Sequence, residues 1–175
     1  AALFVREGVR ILPLIDGGGQ EVGARSGTEP VLNLLGMGAA AELAGTQMAA
    51  RMAHASRLRD QLKDGLLARL EHLRVNGSWT SRLPHNLHVC VEGLSSESLV
   101  LGLDQEGIAA GIGSACNSKA MRPSHVLKAI GLSEEEASGA LLLTVGVPTT
   151  EDEIDRALDI IPRVVNRLRN VTMLT

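Results

Sequence analysis

The chain of 175 residues is most simply one domain by length, enough to bury about two-thirds of its unfolded surface. Lys and Arg number 17 against 20 Asp and Glu, a formal charge of -3, which offers no general attraction to nucleic acid or to an anionic membrane. Phe4 and Trp79 are the only aromatic residues, leaving nothing to stack on single-stranded bases, and no apolar run is long enough to span a membrane.

In chain order, Ala2 to Val5 is a short apolar run that predicts a strand, and residues 17–28 are too glycine-rich for regular structure. Pro30 suits a helix start, and Val31, Leu34, Leu35, Gly38, Leu43, Met48 and Met52 follow at helical spacing. The pattern continues through Leu58, Leu62, Leu66 and Leu70, with Gly45 and Thr46 as a bend or capping point. That long helix is expected to bridge two domains.

Asn86 to Glu92 alternates, with Leu87, Val89 and Val91 on one face and His88, Cys90 and Glu92 on the other, as a half-covered strand should. Ser95 or Ser96 caps a helix carrying Leu99 and Leu103, which Gly107 ends. Ile108 to Ala110 reads as a second short strand. Short helices are predicted over Val126 to Ile130 and Glu134 to Ser138, and a strand over Leu141 to Val145. Thr150 and Glu153 form a capping box for a last helix whose Ile154, Leu158, Ile161, Val165 and Leu168 make one buried stripe, with Pro162 expected to kink it.

Two cysteines, Cys90 and Cys116, make no disulfide framework, and no Cys or His spacing suggests zinc. Cys116 lies in the loop Gly113-Ser114-Ala115-Cys116-Asn117-Ser118, where glycine and small polar residues leave a thiol uncrowded. A free cysteine is more often a small buried hydrophobe, and Cys90 is read as half-buried packing of that kind. His54, His72, His85 and His88 are read as structural or surface residues.

The cysteine loop resembles the active-site loop of the cysteine desulfurases, pyridoxal-phosphate enzymes of the class-V aminotransferase superfamily. Gly17-Gly18-Gly19-Gln20-Glu21 with Arg25-Ser26-Gly27-Thr28 resembles the phosphate-side segment of that family. Pro123-Ser124-His125-Val126-Leu127, Gly131-Leu132 and Thr149-Thr150-Glu151-Asp152-Glu153-Ile154-Asp155 follow in the family's order and spacing. The length of the cysteine loop is like that of the class that hands sulfur to scaffold proteins in iron–sulfur cluster assembly.

The resemblance implies an α/β chain forming the C-terminal part of an aminotransferase-like fold. Residues 1–48 would be a remnant of the large cofactor domain, and 49–175 the small domain carrying the cysteine loop. It implies Cys116 as the nucleophile that takes sulfur from L-cysteine as a persulfide, leaving alanine. Lys119 and Arg122 would favour its thiolate, or else form a solvated face for an acidic partner, and His125 is read as a helix-start residue.

Thr28 is implied to hold the phosphate of pyridoxal 5'-phosphate in the opposite subunit, with Arg25, Ser26 and Gly27 ordering its loop. The family's Schiff-base lysine, the group over the ring and the Asp at the pyridine nitrogen have no counterpart here. At the position of the arginine that clamps the substrate carboxylate stands Leu142, which cannot pair with a carboxylate.

The expected partners are L-cysteine, a sulfur acceptor or iron–sulfur scaffold, and a second copy or an N-terminal half, in the cytosol. The competing readings are a non-catalytic sulfur carrier or scaffold-binding paralogue and, third, a selenocysteine lyase. The last is disfavoured because no acidic stretch follows Cys116.

Overall fold

A helix needs only its own backbone to satisfy its hydrogen bonds, whereas a strand needs a neighbour; the expected strands over Asn86 to Glu92 and Leu141 to Val145 form on each other, and those over Ala2 to Val5 and Ile108 to Ala110 do not form. The computed structural model describes residues 1–112 and 124–172, and the chain divides into two units, Ala1–Gln47 and Met48–Thr175.

In the first unit, Ala2 to Val5 forms no strand. The nearest backbone bond is a turn from Val9 N–H to the Arg6 carbonyl, and without a ladder partner an apolar run stays irregular. Residues 17–28 are irregular apart from one 3-10 turn, Gln20–Gly23. Helix α1 (Val31–Arg69) begins directly after Pro30, whose fixed φ and missing N–H suit a first turn. It has 39 residues, about 58 Å at the usual rise. It continues through Gly45 and Thr46, where the Thr46 hydroxyl donates back to the Glu42 carbonyl at 2.9 Å. No residue of 1–47 is buried.

The second unit holds the core. Ala55, Leu58, Leu62 and Leu66, spaced three and four apart, make the buried stripe of the later part of α1. A left-handed turn at His72 (φ 54) leads into β1 (Leu73–Val75), which the sequence pattern did not disclose because three residues carry no readable alternation. β2 (Asn86–Val91) and β3 (Ala140–Thr144) complete an antiparallel sheet of order β1-β2-β3. Cross-strand pairs point to one face. Leu87 with Leu143 and Val89 with Leu141 therefore join the main core, while Asn86 with Thr144 and His88 with Leu142 occupy the other face.

That second face is more covered than the alternation implied. Cys90 is buried against Ala140, Leu127, Leu132 and Ala137, the last three contributed by and between α3 (His125–Ala129) and α4 (Glu134–Ser138).

Helix α2 (Ser96–Asp104) is capped by Ser95, whose hydroxyl accepts from Ser98 N–H at 3.2 Å. Helix α5 (Glu151–Thr172) starts on the expected capping box, with Thr150 N–H to Glu153 Oε2 at 2.8 Å and Glu153 N–H to Thr150 Oγ1 at 3.3 Å. It runs as one helix through Pro162, so the proline forgoes a single hydrogen bond without ending the helix. Ile108 to Ala110 forms no strand, and one isolated bridge joins Gly111 to Leu142. Gly65 lets α5 approach closely, since a Cβ there would sit 2.5 Å from Leu158 Cδ2.

Candidate functional site

Two groups of residues carry candidate chemistry, one in each unit. In the first unit, the segment from Gly17 to Thr28 is tied to itself. Ser26 Oγ donates to the Gly18 carbonyl at 3.2 Å, Gly27 N–H donates to Gln20 Oε1 at 3.3 Å, and Arg25 Nη1 donates to the carbonyls of Gly27 and Thr28 at 2.9 and 3.3 Å.

Gly27, at φ 96, takes a conformation that favours glycine. Glu21 and Val22 are left-handed as well, at φ 50 and 57. For the β-branched Val22 that conformation costs on the order of 1–3 kcal/mol. Arg25 is therefore engaged in shaping the loop. The Thr28 hydroxyl is exposed and has no hydrogen-bond partner among the described residues.

A loose hydroxyl at the end of a tied, glycine-rich loop is suitable chemistry for an anion such as a phosphate. It fits the phosphate end of pyridoxal phosphate and no more of that molecule, since residues 1–47 contain no lysine and only Phe4 as an aromatic.

In the second unit the site is the polar face of the sheet. Leu142 spends both its backbone groups on Gly111: Leu142 N–H donates to the Gly111 carbonyl at 2.6 Å and Gly111 N–H donates to the Leu142 carbonyl at 3.0 Å. His88 turns the other way, its carbonyl accepting from Asn76 N–H at 2.9 Å. His88 and Leu142 are thus a non-hydrogen-bonded pair, the closer kind, with Cα atoms about 4.5 Å apart. Gly111 and Ile112 lead, in sequence, to Cys116.

Around His88 the polar groups are crowded. Asn76 Nδ2 lies 2.9 Å from His88 Nδ1 and 3.1 Å from Cys90 Sγ, and Asn76 Oδ1 is buried without a partner. Burial first, and then the positive Arg82, hold the imidazole of His88 below its ordinary pKa. Burial pushes the Cys90 thiol up, against the Asn76 hydrogen bond and Arg74. That makes Cys90 a poor thiolate and supports its reading as packing.

Arg82 itself donates from Nη2 to Asn86 Oδ1 at 3.0 Å, while its Nε and Nη1 are buried with no partner. Its Cζ lies 4.7 Å from the centre of the Trp79 ring, which also receives Arg59 Cζ at 4.8 Å and Lys63 Nζ at 4.0 Å. Sequence reasoning missed this cluster. Its one signal was a lone tryptophan beside Arg82 in a chain almost without aromatics, and the two cations on α1 are too distant in sequence to be read with it.

Cys116, Lys119 and Arg122 lie outside the described residues. Just beyond them Ser124 caps α3, accepting from Val126 N–H at 3.3 Å, and His125 is the first residue of that helix and exposed. His54 reaches the Thr149 carbonyl at 2.9 Å, and His72 pairs with Glu92 at 3.1 Å. Among the described residues no group of His, Cys, Asp and Glu is placed to hold a metal ion, and no helix is long and apolar enough to cross a membrane.

The aminotransferase class-V family model matches residues 17–157. The chain is 47% identical over 173 residues to "Cysteine desulfurase IscS 1" of Archaeoglobus fulgidus, covering 99% of this chain and 45% of that protein. It is 43% identical over 174 residues to "Cysteine desulfurase IscS" of Methanosarcina thermophila, covering 99% and 43%. A solved NifS-like protein superposes with a TM-score of 0.81 at 31% identity, covering 94% of this chain and 42% of that one. A NifS-like protein from Rickettsia africae gives 0.77 at 25% identity, covering 90% and 41%. The chain thus spans less than half the length of the relatives it matches.

Proposed function

Since the chain belongs to the aminotransferase class-V family, we propose that it is the sulfur-accepting portion of a cysteine desulfurase, the C-terminal part of its fold. The observation that carries this reading is likeness to proteins named cysteine desulfurases over 99% of the chain, with Cys116 inside the matched span. Pyridoxal phosphate, when bound to the complete enzyme, supplies the electron withdrawal that makes a substrate thiol attackable.

This chain's share is the rest. Thr28 donates its hydroxyl to the phosphate, across a dimer, while Arg25, Ser26 and Gly27 keep the loop in shape. The Cys116 thiolate attacks the sulfur of L-cysteine. The carbon–sulfur bond breaks with its electron pair left on the substrate, which is protonated to alanine, and the sulfur stays on Cys116 as a persulfide for an acceptor such as an iron–sulfur scaffold. Residues 1–48 belong to the cofactor domain in this reading and 49–175 to the smaller one, in a cytosolic protein.

The large apolar side chains of residues 1–47, among them Phe4, Leu12, Leu14, Leu32 and Leu35, are exposed. In this reading they pack against a second copy. Light scattering after size-exclusion chromatography is expected to show a dimer, and a monomer at high concentration would overturn that part.

A second reading, a non-catalytic sulfur carrier or scaffold-binding paralogue, is favoured by Leu142 in place of a carboxylate-binding arginine. Sulfide release from L-cysteine decides between them. The chain is assayed with pyridoxal phosphate and reductant, alone and together with a desulfurase N-terminal half, beside Cys116→Ala. Release that depends on Cys116 supports the desulfurase, and none in any sample, against a working intact enzyme, supports the carrier.

A further inference from the structure

Among the described arginines of the second unit, Arg57, Arg59, Arg74, Arg163 and Arg167 each reach a carboxylate. Arg82 reaches none. It lies against Trp79 with two other cations, and its Nε and Nη1 are buried without an acceptor. A guanidinium so placed is incomplete: desolvated donors without partners are costly, and Asp60, the acid whose charge acts on it, is hydrogen-bonded to Arg59 instead.

Its remaining contact shows where an anion would complete it. Nη2 is held by Asn86, and Asn86 lies on the sheet face of His88, Leu142 and Thr144; Gly111 bridges Leu142 on the far side of β3. On that face Arg74, opposite Cys90, is already paired with Glu136, while His88 and Arg82 can carry positive charge and Leu142 is apolar.

We propose that Arg82, steadied by Asn86 and with His88 next to it, binds the carboxylate of a small carboxylic substrate on this face, in place of any contact from residue 142. The identity of that substrate as an α-amino acid rests on the desulfurase reading. The two covered nitrogens come into use as Arg82 turns off the Trp79 ring, which keeps Arg59 and Lys63. The planar guanidinium suits a carboxylate better than an ammonium would, and Leu142 against His88 supplies an apolar wall that excludes water from the pair.

The test follows the His88 Cε1–H signal of the 175-residue chain by NMR across pH, at constant ionic strength, with acetate, L-cysteine or cysteamine added. Acetate and L-cysteine are expected to raise the His88 titration midpoint saturably, because a carboxylate on Arg82 cancels the positive charge felt by His88. Cysteamine, which lacks the carboxylate, is expected to leave it in place. Arg82→Gln raises the midpoint by itself and abolishes the response, and Arg82→Lys, the variant to use should the glutamine not fold, keeps a response that saturates at higher acetate.

No saturable response in the unmodified chain, or an undiminished one in these variants, overturns the proposal. In the assembled, sulfide-releasing enzyme, Arg82→Lys is expected to raise KM for L-cysteine about tenfold, more than it lowers kcat. An acetate response without Cys116-dependent release removes the desulfurase reading and leaves the Arg82 site standing. Such release with KM unchanged by Arg82→Lys removes the Arg82 site alone.

Discussion

Helix α1 contains one apolar pattern with two outcomes. In its earlier part Leu32, Leu35 and Met37 are exposed, and in its later part Leu58, Leu62 and Leu66 are buried. Helical spacing runs through both stretches. What separates them is company, since the later stretch belongs to the main core of the second unit while no residue of 1–47 is buried. Local periodicity declares a helix, and only tertiary partners give its apolar face a use.

The largest test of that comparison is a pair of leucine truncations. Leu58 is 0% exposed, and Leu58→Ala is expected to cost about 2–5 kcal/mol in urea unfolding. Leu32 is 85% exposed, and Leu32→Ala is expected to stay within about 0.5 kcal/mol at low protein concentration. Equal losses would mean that the earlier stretch already has a packing partner in the monomer.

Glycines on the same helix give a second, smaller contrast of opposite sign. A Cβ on Gly65 would meet Leu158 Cδ2 at 2.5 Å, so Gly65→Ala forces two helices apart and is expected to destabilise by about 1–3 kcal/mol. A Cβ on Gly38 would meet nothing within 4 Å. Gly38→Ala therefore gains only helix propensity and is expected to stabilise by about 0.5–1 kcal/mol. Thermal melts of the two variants read both signs, and a Gly38→Ala loss would place a neighbour against that side of α1.

The same division explains what could be read from the sequence. Elements announced by capping chemistry were legible: Pro30 before α1, Ser95 before α2 and the Thr150–Glu153 box before α5 are local and stand as read. Strands depend on partners remote in sequence, and there the reading slipped. Ala2 to Val5 and Ile108 to Ala110 form no strand, and β1 went unseen.

The motifs of the candidate site were legible as a resemblance, residue by residue. Its geometry was not, because the register that sets His88 against Leu142 joins strands far apart in the chain. The gathering of Arg59, Lys63 and Arg82 on Trp79 likewise belongs to tertiary packing.

The smallest predicted effect is an acid sensitivity confined to one unit. Burial first, and Arg82 second, lower the pKa of His88 from its ordinary 6.5. The folded state then refuses a proton that the unfolded chain accepts, so this group's contribution to stability is intact above pH 6.5 and is lost as pH falls through 6.5 toward the lower folded value. Glu136 acts in a separate window. Hydrogen bonds from Ser133 lower its pKa from 4.5, so its contribution is present above pH 4.5 and lost below.

Residues 1–47 contain no histidine, so a fall in melting temperature between about pH 7.5 and 5.5 belongs to the second unit, and His88→Gln is expected to flatten it. Arg82→Gln is expected to flatten it less, because burial, the larger cause, remains. If Arg82→Gln flattened the profile as much as His88→Gln, charge rather than burial would govern His88, and the polar face would be more open to water than the packing around Asn76 implies.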